Sequence, residues 1–332
     1  MYNHFFGIQR APFNLTPDPD FLYLTPQHRE ALAGLSYAIM ARKGFVVLTG
    51  SAGTGKTTLL TQIMQHLPVA SVQYSVILNP TLSPSEFLEA VLMDFGFKDI
   101  PASKAQRISE LQNFLWEARR TGKISALIVD EAHKLSLDVL EEIRLLGNFE
   151  SASHKLLQVA LVGQSELDDM LNSQPLCQFK QRIARRMVIS SLGVEEVGPY
   201  IQHRWAIAGG KDAPFSAEAV ASVGQATQGI PRLINVTCDN ALIDAFADES
   251  AMVEVRHILR VCQDLHLSVP IPHLSAPIAQ PAALPQAIAP LLAMDAYPMK
   301  TLERYNTAAS QRGSLLGRLR GKLKSTPRIE TA

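Results

Sequence analysis

Phe45-Val46-Val47-Leu48-Thr49-Gly50-Ser51-Ala52-Gly53-Thr54-Gly55-Lys56-Thr57-Thr58 decides the fold. An apolar, β-branched run of this length reads as a parallel strand buried on both faces. It enters a glycine-rich turn, and a helix is expected from about Lys56 to His66. Gly50 to Thr57 fit G-x-x-x-x-G-K-[S/T] in the strand-then-helix setting that a P-loop requires. Glycines let backbone N–H groups close around phosphate oxygens, and the helix N-terminus adds partial positive charge. Gly50, Ser51, Ala52, Gly53, Thr54, Gly55, Lys56, Thr57 and Thr58 are therefore the expected nucleotide cradle. Lys56 would reach the β- and γ-phosphates, and the Thr57 hydroxyl would ligate Mg²⁺.

Outward from this stretch, strands alternate with helices. Val69 to Leu78 reads as one strand or two, Ile124 to Val129 and Leu156 to Val162 as two more, and Met187 to Ser190 as a fifth. Thr25-Pro26 starts a helix. Ser83-Pro84-Ser85-Glu86 supplies a capping box, Ser103 to Gln106 repeats the device, and Ser136 caps a further helix. Alternation of this kind predicts an α/β fold with a parallel five-stranded sheet. After residue 192 the pattern is purely helical. The expected organisation is an N-terminal segment packing on the core (1–24), the P-loop core (25–192), a small helical lid (193–266), a Pro/Ala-rich linker (267–298) and a disordered basic tail (299–332).

A P-loop needs a carboxylate at the end of a neighbouring strand, and Asp130-Glu131 follow the run Ala126 to Val129. Asp130 would hold the Mg²⁺ shell, and Glu131 would polarise the attacking water. The alternative for Glu131 is a helix cap. Asp130-Glu131-Ala132-His133 also spells a superfamily-two helicase box, but the residues after 190 cannot build the second α/β half those enzymes need. Gln164, after the fourth strand, can bond the γ-phosphate or the water, or else cap the helix starting at Ser165. Arg182, Arg185 and Arg186 are spaced to share a helical face and present a guanidinium to a neighbouring subunit's γ-phosphate, with surface ion pairing as the alternative. Arg232, beside Pro231 at a helix start, is badly placed unless an anion is present. His133, His154 and His203 read as ordinary residues.

Composition narrows the setting. Lys plus Arg and Asp plus Glu are each 31, and hydrophobic residues make up 47% of the 332, enough for a sizeable core. The neutrality is uneven: Lys300, Arg304, Arg312, Arg318, Arg320, Lys322, Lys324 and Arg328 face only Glu303 and Glu330 in the tail. Leu315, Leu316, Leu319 and Leu323 among them suggest a basic amphipathic helix suited to an anionic membrane surface, an acidic partner or a phosphate backbone. Three distant cysteines, Cys177, Cys238 and Cys262, give neither a disulfide framework nor a metal-ligand pair. With no signal-like segment, a cytoplasmic protein is expected, in one version peripheral at the inner membrane face.

Together these motifs resemble an AAA+ ATPase, and more closely the ExeA, or general secretion pathway protein A, family. The resemblance runs in order through Phe13 to Tyr23, Gln27 to Leu32, Asp130 to Ala132, Leu145 to Glu150, Leu161 to Leu167, Gln181 to Ile183, Tyr200 to Arg204 and Gly229 to Asn235. It implies an αβα core with a helical lid, ATP and Mg²⁺ as ligands, and assembly into a ring or hexamer. It also implies Gln164 as first sensor, Arg182 or a neighbour as arginine finger, Arg232 as second sensor, and an N-terminal segment that helps enclose the adenine. The membrane span and peptidoglycan-binding region of the secretion members have no counterpart in this sequence. Three readings follow: an ATPase serving an envelope machine, a DNA-bound regulator of the transposition kind, or a nucleotide-dependent scaffold with little turnover.

Overall fold

The computed structural model describes residues 2–268, apart from 17, 69, 79 and 151–153; the linker from residue 269 and the whole basic tail lie outside the described residues. A short helix α1 (Tyr2–Phe5) precedes α2 (Pro26–Met40), which leads into β1 (Phe45–Gly50) and α3 (Lys56–His66). Then come β2 (Val72–Ile77), α4 (Pro84–Phe95), α5 (Lys104–Arg120), β3 (Ile124–Val129), α6 (Leu137–Leu146), β4 (Leu157–Gly163), α7 (Ser165–Asn172), α8 (Cys177–Lys180) and β5 (Ile183–Ile189). The five strands form one parallel sheet in the order β2-β3-β4-β1-β5. Every strand therefore ends on the same edge, and the turn leaving β1 opens beside the ends of β4 and β5.

Side chains alternate across each strand, so one run of residues feeds two cores. Val46, Leu48, Ile128 and Val162 pack under α2 and α3 with Leu35, Ile39, Leu59 and Ile63. Val47, Leu127, Val129 and Leu161 pack on the other face with Phe87, Leu111, Ile143 and Phe179 from α4, α5, α6 and α8. The three central strands are buried along their whole length, which is why they read as mainly apolar runs, with Thr49, Ser125 and Gln158 as buried polar exceptions.

Local signals set the helix ends. Thr25 accepts the His28 N–H, Ser83 and Glu86 complete their capping box, and Ser136 accepts the Val139 N–H. Ser103 differs from expectation: its side chain makes no cap bond, and α5 begins without one. The fifth strand also differs. It starts at Ile183, four residues before the expected Met187, because an edge strand tolerates the exposed Ala184 and Arg185 that break the apolar pattern.

A third core is built by α9 (Val194–Ile207), α10 (Ala217–Thr227), α11 (Pro231–Ala247) and α12 (Val255–Asp264), around Val197, Trp205, Val223 and Ile258. N-terminal residues join this cluster: Tyr2, Ile8, Phe13 and Phe21 are buried among α9 to α12. Leu22 and Leu24 pack against the core under α2, and residues 19–21 contact α3. Residues 1–24 thus touch both parts: residues 19–21 contact α9 as well as α3, while the aromatic rings of the segment find their partners in Trp205, Phe215 and Tyr200.

Candidate nucleotide-binding site

Two glycines of the loop after β1 leave no room for a side chain. A Cβ at Gly50 would stand 2.3 Å from the Ile189 carbonyl oxygen on β5. Gly53 has φ +79°, and a Cβ there would meet the Arg232 Cβ at 2.8 Å. The Arg232 N–H donates to the Gly53 carbonyl at 3.3 Å, so the first turn of α11 rests on the loop itself. Arg232, Ala52, Gly53, Thr54, Gly55, Thr57 and Thr58 all border one cavity. Lys56 also borders it, but its Nζ is turned back onto the loop, donating to the Gly50 and Ser51 carbonyls at 2.7 and 2.8 Å. Burial lowers the pKa of this ammonium, and Glu131, Asp130 and Glu166 act in the opposite direction.

The end of β3 brings the carboxylates to the loop. Asp130 accepts the Thr57 hydroxyl at 2.7 Å through Oδ2 and the Glu131 N–H at 2.8 Å through Oδ1. Glu131 has φ 54°, a left-handed backbone uncommon outside glycine and asparagine that turns its side chain toward the cavity it borders. Its carboxylate lies 2.9 Å from Lys134 Nζ and 3.7 Å from His133 Nε2. Burial pushes the Glu131 pKa up, but the Lys134 hydrogen bond and charge, with His133 and Lys56 behind them, hold it below the usual carboxylate value. It is therefore an anion at neutral pH, able to accept a proton from water. Glu131 occupies the cap position of a 3-10 turn, Ala132–Lys134, without making a side-chain cap bond. Gln164 likewise precedes α7 without capping it; its amide faces His133 at 3.2 Å.

The cavity measures about 310 Å³. It is lined by the loop, Glu131 and Gln164, by Phe21, Tyr23 and His28, and by Tyr200, Arg204 and Asn235 from the helical region. His28 is buried, with Nδ1 2.7 Å from the Thr25 hydroxyl and Nε2 donating to the Thr54 carbonyl at 3.1 Å. Burial lowers its pKa, so the neutral ring ties the start of α2 to the loop. The sequence reading missed His28, His133, Tyr200, Arg204 and Asn235 as site residues. His28, Tyr200, Arg204 and Asn235 carried a signal only through the family resemblance, in Gln27 to Leu32, Tyr200 to Arg204 and Gly229 to Asn235; His133 carried none.

The three arginines do not share a face. Arg185 and Arg186 are successive residues of β5, so their side chains diverge: Arg185 pairs with Glu30 on α2 at 2.9 Å and Arg186 with Asp168 on α7 at 3.0 Å. Arg182 precedes the strand and donates to the Arg144 carbonyl at 3.1 Å and to Asn148 Oδ1. Helical spacing does not apply, because Arg185 and Arg186 lie in a strand of period two and Arg182 in the turn before it. Arg182 sits at the amino edge of the sheet, away from the chain's own P-loop.

Thr57 and Asp130 are hard oxygen donors held in contact at the foot of a loop shaped by glycines, which fits Mg²⁺. Among the described residues there is no cluster of three or more His, Cys, Asp or Glu able to cage a cation. Mg²⁺ commonly takes one or two carboxylates and completes its shell with water and substrate phosphate, so this sparse donor set suits it.

Residues 39–171 match the AAA domain family. Over 248 residues the chain is 41% identical to general secretion pathway protein A of Aeromonas hydrophila, an overlap of 74% of this chain and 45% of that protein. The chain thus spans less than half of that relative's length. The resemblance to the ExeA family is borne out by this identity. Among solved structures, the Aeropyrum pernix ORC2 protein superposes with a TM-score of 0.59 at 16% identity, covering 77% of this chain and 72% of that one. Cdc6p of Pyrobaculum aerophilum gives 0.55 at 15% identity over 79% and 70%, and Drosophila ORC bound to DNA gives 0.56 at 19% over 78% and 67%. At such identities the likeness is one of fold: an α/β P-loop AAA-type sheet with helices on both faces. Among the described residues no helix is long and apolar enough to cross a membrane.

Proposed function

We propose that this chain, an AAA ATPase related to general secretion pathway protein A, binds ATP with Mg²⁺, hydrolyses it, and works as a ring or other oligomer that drives or switches an envelope assembly or secretion machine. The observation that carries the chemistry is the contact of Thr57 with Asp130 beside Glu131, at the mouth of the loop that holds Lys56. Thr57 and Asp130 would hold Mg²⁺, which would supply charge neutralisation for the phosphates. Lys56 exchanges the Gly50 and Ser51 carbonyls for phosphate oxygens. Glu131, kept anionic, accepts a proton from the attacking water, and Gln164 offers its amide to the γ-phosphate. Arg232, set at the start of α11 against Gly53, meets the anion that a guanidinium at a helix N-terminus calls for.

Arg182 suits a role toward a neighbouring subunit, because it lies at the sheet edge remote from its own loop. Arg185 and Arg186 are neutralised by carboxylates, Glu30 and Asp168, whereas Arg182 donates to neutral acceptors, the Arg144 carbonyl and Asn148 Oδ1. The envelope process rests on the relative's name, and a peripheral site at the inner membrane face accords with it. The test is ATP turnover against protein concentration, with and without duplex DNA, at two salt concentrations. Specific activity rising with concentration and indifferent to DNA supports the proposal. Salt-sensitive stimulation by DNA would replace the envelope role with a DNA-bound one, and binding without turnover would leave a nucleotide-dependent scaffold.

A further inference from the structure

His133 and Gln164 meet across the ends of β3 and β4. His133 Nδ1 accepts the backbone N–H of Gln164 at 3.3 Å, while Nε2 stands 3.2 Å from the Gln164 amide nitrogen and 3.7 Å from the Glu131 carboxylate. The imidazole is 12% exposed. The backbones beneath are equally close, since a Cβ at Gly163 would come within 3.1 Å of the His133 nitrogen. The ring thus has three neighbours in the site and little freedom to leave them.

The hydrogen-bond roles follow from the ring's chemistry. A neutral imidazole has one donor and one acceptor nitrogen. Nδ1 faces a backbone N–H, which can only donate, so the ring proton belongs on Nε2. That proton requires an acceptor. The Gln164 amide provides one when its oxygen, rather than its nitrogen, is turned to the ring; the orientation of an amide is fixed by its partners in this way. The NH₂ group is then the free end, in a residue that borders the cavity. A donor is what a γ-phosphate oxygen or the lone pair of a water molecule needs, whereas an amide oxygen there would repel the phosphate.

We propose that His133 is a positioning residue: it orients the Gln164 amide so that a donor faces the nucleotide, and it couples Gln164 to Glu131 so that the phosphate contact and the water-polarising carboxylate move together. The inference rests on the hydrolysis reading above. His133 itself touches no reacting atom.

The experiment is steady-state ATP turnover of the full chain and of His133→Ala, His133→Asn and His133→Gln, with affinity for a non-hydrolysable ATP analogue and thermal melting measured alongside. Asn retains an acceptor near the Nδ1 position, and Gln extends a donor toward the Nε2 position. His133→Ala and His133→Asn are expected to lower kcat by about 10- to 100-fold, the range typical of lost outer partners. KM and analogue affinity should stay within about two-fold, the split that marks loss of a transition-state interaction. His133→Gln should recover part of the rate, and His133→Ala combined with Gln164→Ala should be no slower than Gln164→Ala alone. Wild-type kcat in His133→Ala, additive losses in the double variant, or affinity falling in step with kcat would overturn the proposal. If His133→Ala does not fold, His133→Asn and His133→Gln decide, and equal rates would overturn it. Absence of turnover in the wild-type chain would overturn the hydrolysis reading and this inference with it, whereas an active wild type with an equally active His133→Ala would overturn this inference alone.

Discussion

Arg204 is expected to hold the N-terminal segment against the helical region, and Arg204→Met tests it. The side chain is 8% exposed. Nε donates to the Pro12 carbonyl at 2.6 Å, and Nη1 lies 3.4 Å from both the Phe21 carbonyl and the Tyr200 hydroxyl. Its guanidinium carbon also sits 4.9 Å from the Phe21 ring centroid. Methionine keeps most of the aliphatic stem, so the loss is mainly polar. A charged hydrogen bond contributes about 1.5–3 kcal/mol, and a desolvated cation–π contact about 0.5–2 kcal/mol. A loss of about 2–4 kcal/mol corresponds to a fall in Tm of roughly 5–15 °C for a domain of this size. Scanning calorimetry gives the first number, and trypsin cleavage after Arg10, beside Asp18 and Asp20, reports unseating of the segment. Unchanged melting together with unchanged cleavage at Arg10 would refute the argument.

Lys56→Ala is expected to abolish ATP binding and Glu131→Gln to permit binding while trapping an ATP-loaded oligomer; filter binding and size-exclusion chromatography read the two, and wild-type turnover in either would remove the mechanism. Arg182→Ala should lose activity without losing nucleotide affinity, and equal loss of both would make Arg182 structural. The structure also implies a pH effect. Burial holds the His28 pKa below 6.5 in the folded chain, so the unfolded chain takes up the proton first as pH falls. The stability that neutral His28 contributes is present above pH 6.5 and is lost progressively below it, down to the folded pKa. Chemical denaturation of His28→Gln from pH 7.5 to 5 should show a shallower loss than the wild type; parallel curves would remove His28 from the account.

The sheet was legible because its central strands are buried on both faces and end in turn residues with one dominant use. Gly50 to Thr57 carried fold and site at once. The edge strand was harder: Arg185 and Arg186 look like surface residues wherever they occur, and only pairing with Phe45 to Gly50 makes them a strand. For the same reason the arginine cluster was illusory, three neighbours in sequence that point to Asn148, Glu30 and Asp168. His133 left no periodic trace, since its partner is 31 residues away. The N-terminal segment showed its wish to be buried through Phe13 and Phe21, but not where, because aromatic rings among prolines do not encode which core accepts them.

The chain has two tryptophans, and the fold has separated them by environment. Trp116 is 39% exposed on α5, while Trp205 is 2% exposed and meets Phe6 edge-on, with ring centroids 6.1 Å apart. An aqueous quencher such as iodide reaches the first and not the second, so the emission that survives it belongs to the junction between the N-terminal segment and α9. The protein therefore contains its own optical gauge of whether that segment is seated, readable in the unlabelled wild-type chain while nucleotide is added.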